Sequence, residues 1–393
     1  MRGTTAMAWV ALLSSACGGS TSGGAPTDGG AGSGAMGGSG AMGGSGAMGG
    51  SGAMGGSGAM GGSGAMGGSG AMGGSGGDST AGQPPPPDPN APPASGATPT
   101  TLVVRKVFLG DTNLQGQQDA QAWRKYGLNV DGLLSTKSST NHCMPQKGAN
   151  KSSIQTDGDN GIDNSFGSNL LKIIASLTPN PTDELNATIA AGAGTWLIHL
   201  QNLGTGAAQN GVKAALFGAA PLGSAPSWSP AEVRTVTFES VSGGSITSPL
   251  VTYPQSYVVG GTWVGAPATT GKLMLAIGLG SATIRHVRAV ANITGTGPSA
   301  KATGVISGVI DTEEYISEVA KVAGQIAMEL CEGSTFETIA QAIRSGSDIM
   351  KDGSNGDPSK TCDGTSIGVG FEATAAMLGS VAPAVPPVPD PCK

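Results

Sequence analysis

The chain has 393 residues and a formal net charge of −6, and its 69 glycines and 25 prolines make up almost a quarter of it. Glycine and proline at that level mark a low-complexity portion, and the excess falls before residue 100, leaving 101–393 with an ordinary globular composition and length for a sizeable core. Only Arg2, Asp28, Asp78 and Asp88 are charged before residue 101, and no run of Lys or Arg follows, which excludes the basic footprint that nucleic acid or an anionic membrane surface requires.

Met1-Arg2-Gly3 and the short apolar run 4–13 read as the first two regions of a signal peptide over residues 1–16. That run is too short to span a bilayer, and no later segment has 18 consecutive apolar residues. The sequence LLSSAC, ending at Cys17, resembles the lipobox of bacterial lipoproteins, with Leu13 one place earlier than usual and Ser14 in its position. The resemblance implies lipidation of Cys17 and attachment to a membrane through that anchor. Ordinary cleavage near Ala16 is the alternative. Gly18 stands where an Asp would imply retention at the inner membrane, so the resemblance implies the outer membrane and its cell-surface side.

Residues 33–76 repeat S-G-A-M-G-G, which sets Met36, Met42, Met48, Met54, Met60, Met66 and Met72 six residues apart. Half of such a segment is glycine, so it buries too little apolar surface to offset its ordering entropy. Thioethers suit Cu(I), but no His or Cys accompanies them, and the repeat is read as composition alone. Residues 78–99 turn Pro-rich, which stiffens the chain. Residues 17–100 are therefore expected to be a disordered tether ahead of a folded domain over 101–382 and a Pro-rich tail over 383–393.

Within the domain, 101–109 reads as a β-branched strand, 117–126 as a short polar helix, and 128–135 as extended. A helix is expected over 164–176, capped by Asp163 or Asn164, with Phe166, Leu170, Leu171 and Ile174 on one side. Strands follow at 195–203, 211–217, 234–241, 257–264, 272–278, 282–294 and 302–310. Two helices then open on capping-box spacing at Asp311–Glu314 and Ser334–Glu337. They place Ile316, Val319 and Val322, and Phe336, Ile339 and Ile343, on single faces. A last strand is expected at 366–371. The class is α+β: a β-rich centre, sandwich-like or a curved antiparallel sheet, with helices at both ends.

Setting aside Cys17 leaves Cys143, Cys331, Cys362 and Cys392, an even number in an oxidising compartment. Two disulfides are expected. The preferred pairing is Cys331–Cys362 with Cys143–Cys392, which staples the end of the chain to the domain. Asp157, Asp159 and Asp163 occupy positions 1, 3 and 7 of a Gly-containing loop, spacing that can converge oxygens on Ca2+. Gly161 and Ser168 stand where an EF-hand needs an oxygen ligand and a Glu, so a turn followed by a helix cap is the competing reading. A second aspartate-rich stretch, 348–363, has the same ambiguity. His199 and His286 lie in strand patterns. Gly304-Val305-Ile306-Ser307-Gly308 lacks nucleophile-elbow spacing and reads as a closely packed strand. Trp123, Trp196, Trp228 and Trp263 can stack on sugars, although buried anchoring is their commoner use.

Four stretches, FLGD at 108–111, AWRKYGLNVDG at 122–132, DGDNGIDNSFG at 157–167 and CDGTSIGVGFEA at 362–373, together resemble uncharacterised Gly-rich surface lipoproteins of myxobacterial type. The resemblance spans about 101–375 and imports no activity or catalytic residue. The leading expectation is a non-enzymatic surface module that binds an extracellular ligand or envelope partner or has a structural role. The alternative is an anchored hydrolase acting on polysaccharide. No nucleophile or metal-ligand set is recognisable, which favours the first.

Overall fold

A computed structural model describes residues 82–392, apart from short stretches at 147–153, 267–269, 278–279, 327, 329–330, 332 and 387–389. Cys17 and the methionine repeat lie outside the described residues.

Ten strands form one sheet: β1 (Thr100–Phe108), β2 (Thr195–Gln201), β3 (Gln209–Ala219), β4 (Val233–Val236), β5 (Val251–Val259), β6 (Thr262–Gly265), β7 (Leu273–Ile277), β8 (Gly280–Thr294), β9 (Lys301–Asp311) and β10 (Gly364–Val381). Eight pair in chain order, each antiparallel to the next: β1 with β2, β2 with β3, β3 with β5, β5 with β6, β6 with β8, β8 with β9 and β9 with β10. Because β10 also pairs with β1, the ladder returns to its start and the sheet closes as an eight-stranded up-and-down barrel. β4 lies parallel to β10 and β7 pairs with β8, both as additions to the ring. The expected curved antiparallel sheet is thus present in its closed form, which leaves no edge on the ring itself.

Alternation along the strands builds the core. Leu102 and Val104 of β1, Ile198 and Leu200 of β2, and Val369, Phe371 and Ala373 of β10 belong to one large cluster, whereas Val103 and Leu197 join another. Tyr253 and Trp263 meet edge-to-face at 5.9 Å inside the large cluster. Their polar ends are satisfied: Tyr253 Oη donates to the Val287 carbonyl and Trp263 Nε1 to Ser256 Oγ, each at 2.8 Å. Small residues allow backbones to approach. An added Cβ at Gly304 would lie 2.2 Å from the Val290 carbonyl oxygen, and one at Gly368 the same distance from that of Tyr126.

Four helices complete the described domain: α1 (Leu171–Leu177), α2 (Pro181–Ala190), α3 (Thr312–Ile326) and α4 (Ser334–Arg344). α1 continues a π-type turn over Phe166–Leu170, so the helix expected at 164–176 is present with an irregular first turn. α3 starts at the expected cap, where Asp311 Oδ1 accepts the amides of Glu313 and Glu314 at 3.2 Å. Ser334 instead lies inside α4, with Gly333 before it as the cap.

Several elements differ from expectation for physical reasons. Residues 257–264 are not one strand, because Gly260 and Gly261, at φ 57° and 80°, turn the chain between β5 and β6. Residues 117–126 hold only a short 3-10 turn at Ala122–Lys125, and 128–135 forms no strand. The final strand runs for 18 residues rather than six, since Ala373–Ala376 pair with β1 and the end supports β4. The two disulfides join Cys143 to Cys362 and Cys331 to Cys392, correcting the preferred pairing. Cys143 is brought to Cys362 by the Met144–Thr361 bridge, while the chain end returns to the segment after α3. The Pro-rich stretch assigned to the tether also contributes to the domain. Asn129 donates its amide to the Gly82 carbonyl at 2.9 Å, Tyr257 Oη donates to the Pro85 carbonyl at 2.6 Å, and Pro93 bridges Asn210.

Candidate functional site

At one end of the barrel the α1–α2 pair and the β7 hairpin leave a groove between them. α2 was not anticipated from the sequence, although its signals are local. Pro181 fixes the first helical φ, Asp183 and Glu184 face the positive helix end, and Asn180 precedes them in the left-handed region at φ 54°. Two side chains seat this helix on the end of β1. Asn186 accepts the Val107 amide and donates to the Val107 carbonyl, both at 2.8 Å. Thr182 Oγ1 accepts the Leu109 amide at 3.0 Å and donates to Asp111. On the other wall, Trp196 Nε1 donates to the Met274 carbonyl at 2.7 Å, tying the start of β2 to β7.

The groove has a volume of about 680 Å³. Its apolar walls include Leu109, Ile174, Leu185, Ile189, Leu275 and Ile277, and Glu184, Thr188, Glu239 and Lys272 stand among its polar residues. An apolar recess with a few polar groups is the usual build of a small-molecule site, and volumes of about 300–1,000 Å³ are typical.

The aspartates singled out in the sequence lie elsewhere, and only two of the three come together. Asp159 pairs with Arg124 at 2.8 Å. Asp157 accepts the Ser135 amide at 2.6 Å and its carboxyl meets that of Asp163. Asp163, 3% exposed, accepts the amides of Val130 at 2.6 Å and Asp131 at 3.1 Å. Burial pushes Asp157 up to about 7, and burial followed by the charges of Asp131, Asp157 and Asp348 raises Asp163 well above the carboxylate range. Asp348, from the second acidic stretch, is also pushed up to about 7 by burial, against hydrogen bonds from the Ser366 amide and hydroxyl at 2.8 and 2.5 Å. Burial lowers Arg288, although Asp163 and Asp131 oppose that shift.

The arrangement can hold protons between carboxyl groups. Its mapped hydrogen bonds join the 128–135 loop, the 157–163 loop and the start of β10. Beside it, His142, Asp157 and Asp348 line a space of about 10 Å³, room for one water molecule and none for a sugar. His142 is 6% exposed, and neither ring nitrogen has a hydrogen-bond partner among the described residues. Among the described residues no three His, Cys, Asp or Glu side chains are grouped so as to hold a metal ion.

His199 receives a hydrogen bond from, or donates one to, Thr101 Oγ1 at 2.9 Å, and burial lowers its pKa. Trp123, Trp196 and Trp263 are buried, whereas Trp228 is half-buried. Comparisons of the chain with protein-family models, with curated proteins and with solved structures return no match.

Proposed function

We propose that this chain is a lipid-anchored cell-surface protein of the outer membrane whose barrel domain binds an apolar or amphipathic small molecule without transforming it. The groove between α2 and β7 carries this reading: its volume suits such a ligand, and apolar side chains dominate its walls. No helix among the described residues is long and apolar enough to cross a membrane.

Titrating the purified protein with a dansylated fatty acid tests the binding role. Saturable fluorescence enhancement is expected, and Thr188→Trp, which fills the groove from an exposed helical position, should weaken it by about tenfold or more. An absence of binding by the parent protein would remove the reading. The anchor has its own test: Cys17→Ser should move the protein from membrane to soluble fractions, and equal membrane partitioning of parent and variant defeats it.

A further inference from the structure

A second recess, of about 480 Å³, lies on the barrel's outer surface and has a different chemistry. Lys301 and Thr303 of β9 and Glu372 and Thr374 of β10 contribute to it. Residues two apart on a strand share a face, and the register sets Thr303 against Glu372 and Lys301 against Thr374. Four polar side chains therefore stand as two neighbouring cross-strand pairs.

Arg105 joins them through a break in the ladder. β1 pairs Val104 with Ala373 and Lys106 with Glu372, so Arg105 has no residue opposite it. Such bulges re-aim a side chain, and here the guanidinium reaches Glu372 at 2.7 Å. Lys301 is exposed and forms no ion pair among the described residues.

Trp228 closes the recess from the loop before β4. Its φ of 54° is unusual for a bulky side chain, so the surrounding structure must impose it. Glu232 does so from one side, accepting the Ser227 amide at 2.5 Å, the Ser227 hydroxyl at 2.7 Å and a backbone bond from Trp228. Arg234, 1% exposed, pairs with Glu232 at 3.2 Å and lies over the indole at 5.2 Å from its centre. The ring is thereby fixed in place. A half-buried indole held rigid beside hydroxyl-bearing and cationic side chains matches the two-sided chemistry of a sugar ring bearing an acid group. The ring's C–H face lies on the indole, and its oxygens meet donors.

We propose that this recess binds a saccharide carrying a carboxylate, with Trp228 against the sugar ring and Lys301 and Arg105 on the carboxylate. It is separate from the apolar groove and independent of what that groove binds.

Titration of the full chain with tetragalacturonate and with maltotetraose, followed by calorimetry and tryptophan fluorescence, tests the assignment. The acidic tetramer is expected to bind saturably and to perturb the fluorescence. Affinity should fall by about tenfold in Lys301→Gln, an exposed substitution that leaves the fold alone, and at least as far in Trp228→Leu. Thr188→Trp should leave this binding unchanged. Three results overturn the proposal: no saturable binding of tetragalacturonate, equal affinity for maltotetraose, or unchanged affinity in Lys301→Gln with its melting curve intact.

Discussion

Three carboxyl groups, the buried Asp163 and the half-buried Asp157 and Asp348, carry the clearest residue-scale consequence. All three are raised above the ordinary carboxylate pKa, first by burial. A group whose folded pKa is raised binds its proton more tightly in the native state. Its contribution is therefore fully present below the unfolded pKa of ~4 and is lost as pH rises through the folded value. For Asp157 and Asp348 that value is about 7. Urea midpoints should fall between pH 5 and pH 8, and Asp348→Asn, which keeps the shape but not the charge, should flatten that fall. The difference is on the order of a few kcal/mol at pH 8. A midpoint rising over this range, or an unaltered slope in the variant, would contradict the assignment. The same groups decide the calcium reading of the loop. Calcium at Asp157, Asp159 and Asp163 requires a higher melting midpoint in millimolar calcium than in chelator, with the increase lost in Asp159→Asn. The turn-and-cap reading requires no change. The Arg124–Asp159 pair and the loop amides of Val130 and Asp131 on Asp163 satisfy these carboxylates without a cation, and it is Asn164 Oδ1, not Asp163, that accepts the Gly167 amide at the start of the helix, at 3.0 Å. The sequence showed the acidic loop, but Asp348 approaches it only through the return of a chain nearly 200 residues later, which no local spacing records.

At the scale of elements, α2 is held by side chains more than by its own helical tendency. Asn186 satisfies both backbone groups of Val107, which has no ladder partner there on that side of β1. Asn186→Ala would leave that amide and carbonyl unpaired, at a cost of about 1–3 kcal/mol in stability. The loss should also weaken fatty-acid binding, because α2 is a wall of the groove; hydrogen exchange at Val107 and the dansyl titration measure the two effects. Gly304 tests the barrel wall. Gly304→Ala places a methyl group against the Val290 carbonyl, and overpacking of this kind costs about 1–3 kcal/mol. Strands and the α3 cap were legible because alternation and capping are properties of adjacent residues. Closure of the ring was not, since the β1–β10 pairing joins positions some 270 residues apart. The Arg105 bulge and the left-handed Trp228 were equally hidden, each being imposed by partners distant in sequence or by a loop without periodicity.

For the whole molecule, the question is where the domain begins. Composition places the boundary near residue 100, because prolines and glycines continue to that point. The structure places residues 82–96 on the barrel, and the attachment has a physical basis. Proline-rich chain loses little conformational freedom when it is held extended. Its carbonyls remain free to accept hydrogen bonds, and here Tyr257 Oη and Asn210 Nδ2 donate to Pro85 and Asp88 at 2.6 and 2.7 Å. Gln83 adds a bond to the Asn129 carbonyl at 3.0 Å, and Gly82 takes the Asn129 amide. Asn129 in turn belongs to the loop that Asp163 holds, so the segment fastens the same region from outside. Removing it would expose Tyr257 and leave the Asn129 amide without its acceptor, a loss of several bonds each worth about 0.5–1.5 kcal/mol. A fragment beginning at Gly82 should therefore unfold at higher urea concentration than one beginning at Thr101, with a difference on the order of 2–4 kcal/mol. Limited proteolysis of the full chain should likewise yield a stable product whose first residue lies near 82 and not near 100. Equal stability of the two fragments, or cleavage between Pro85 and Gly96 in the folded protein, would return the boundary to the position that composition suggests.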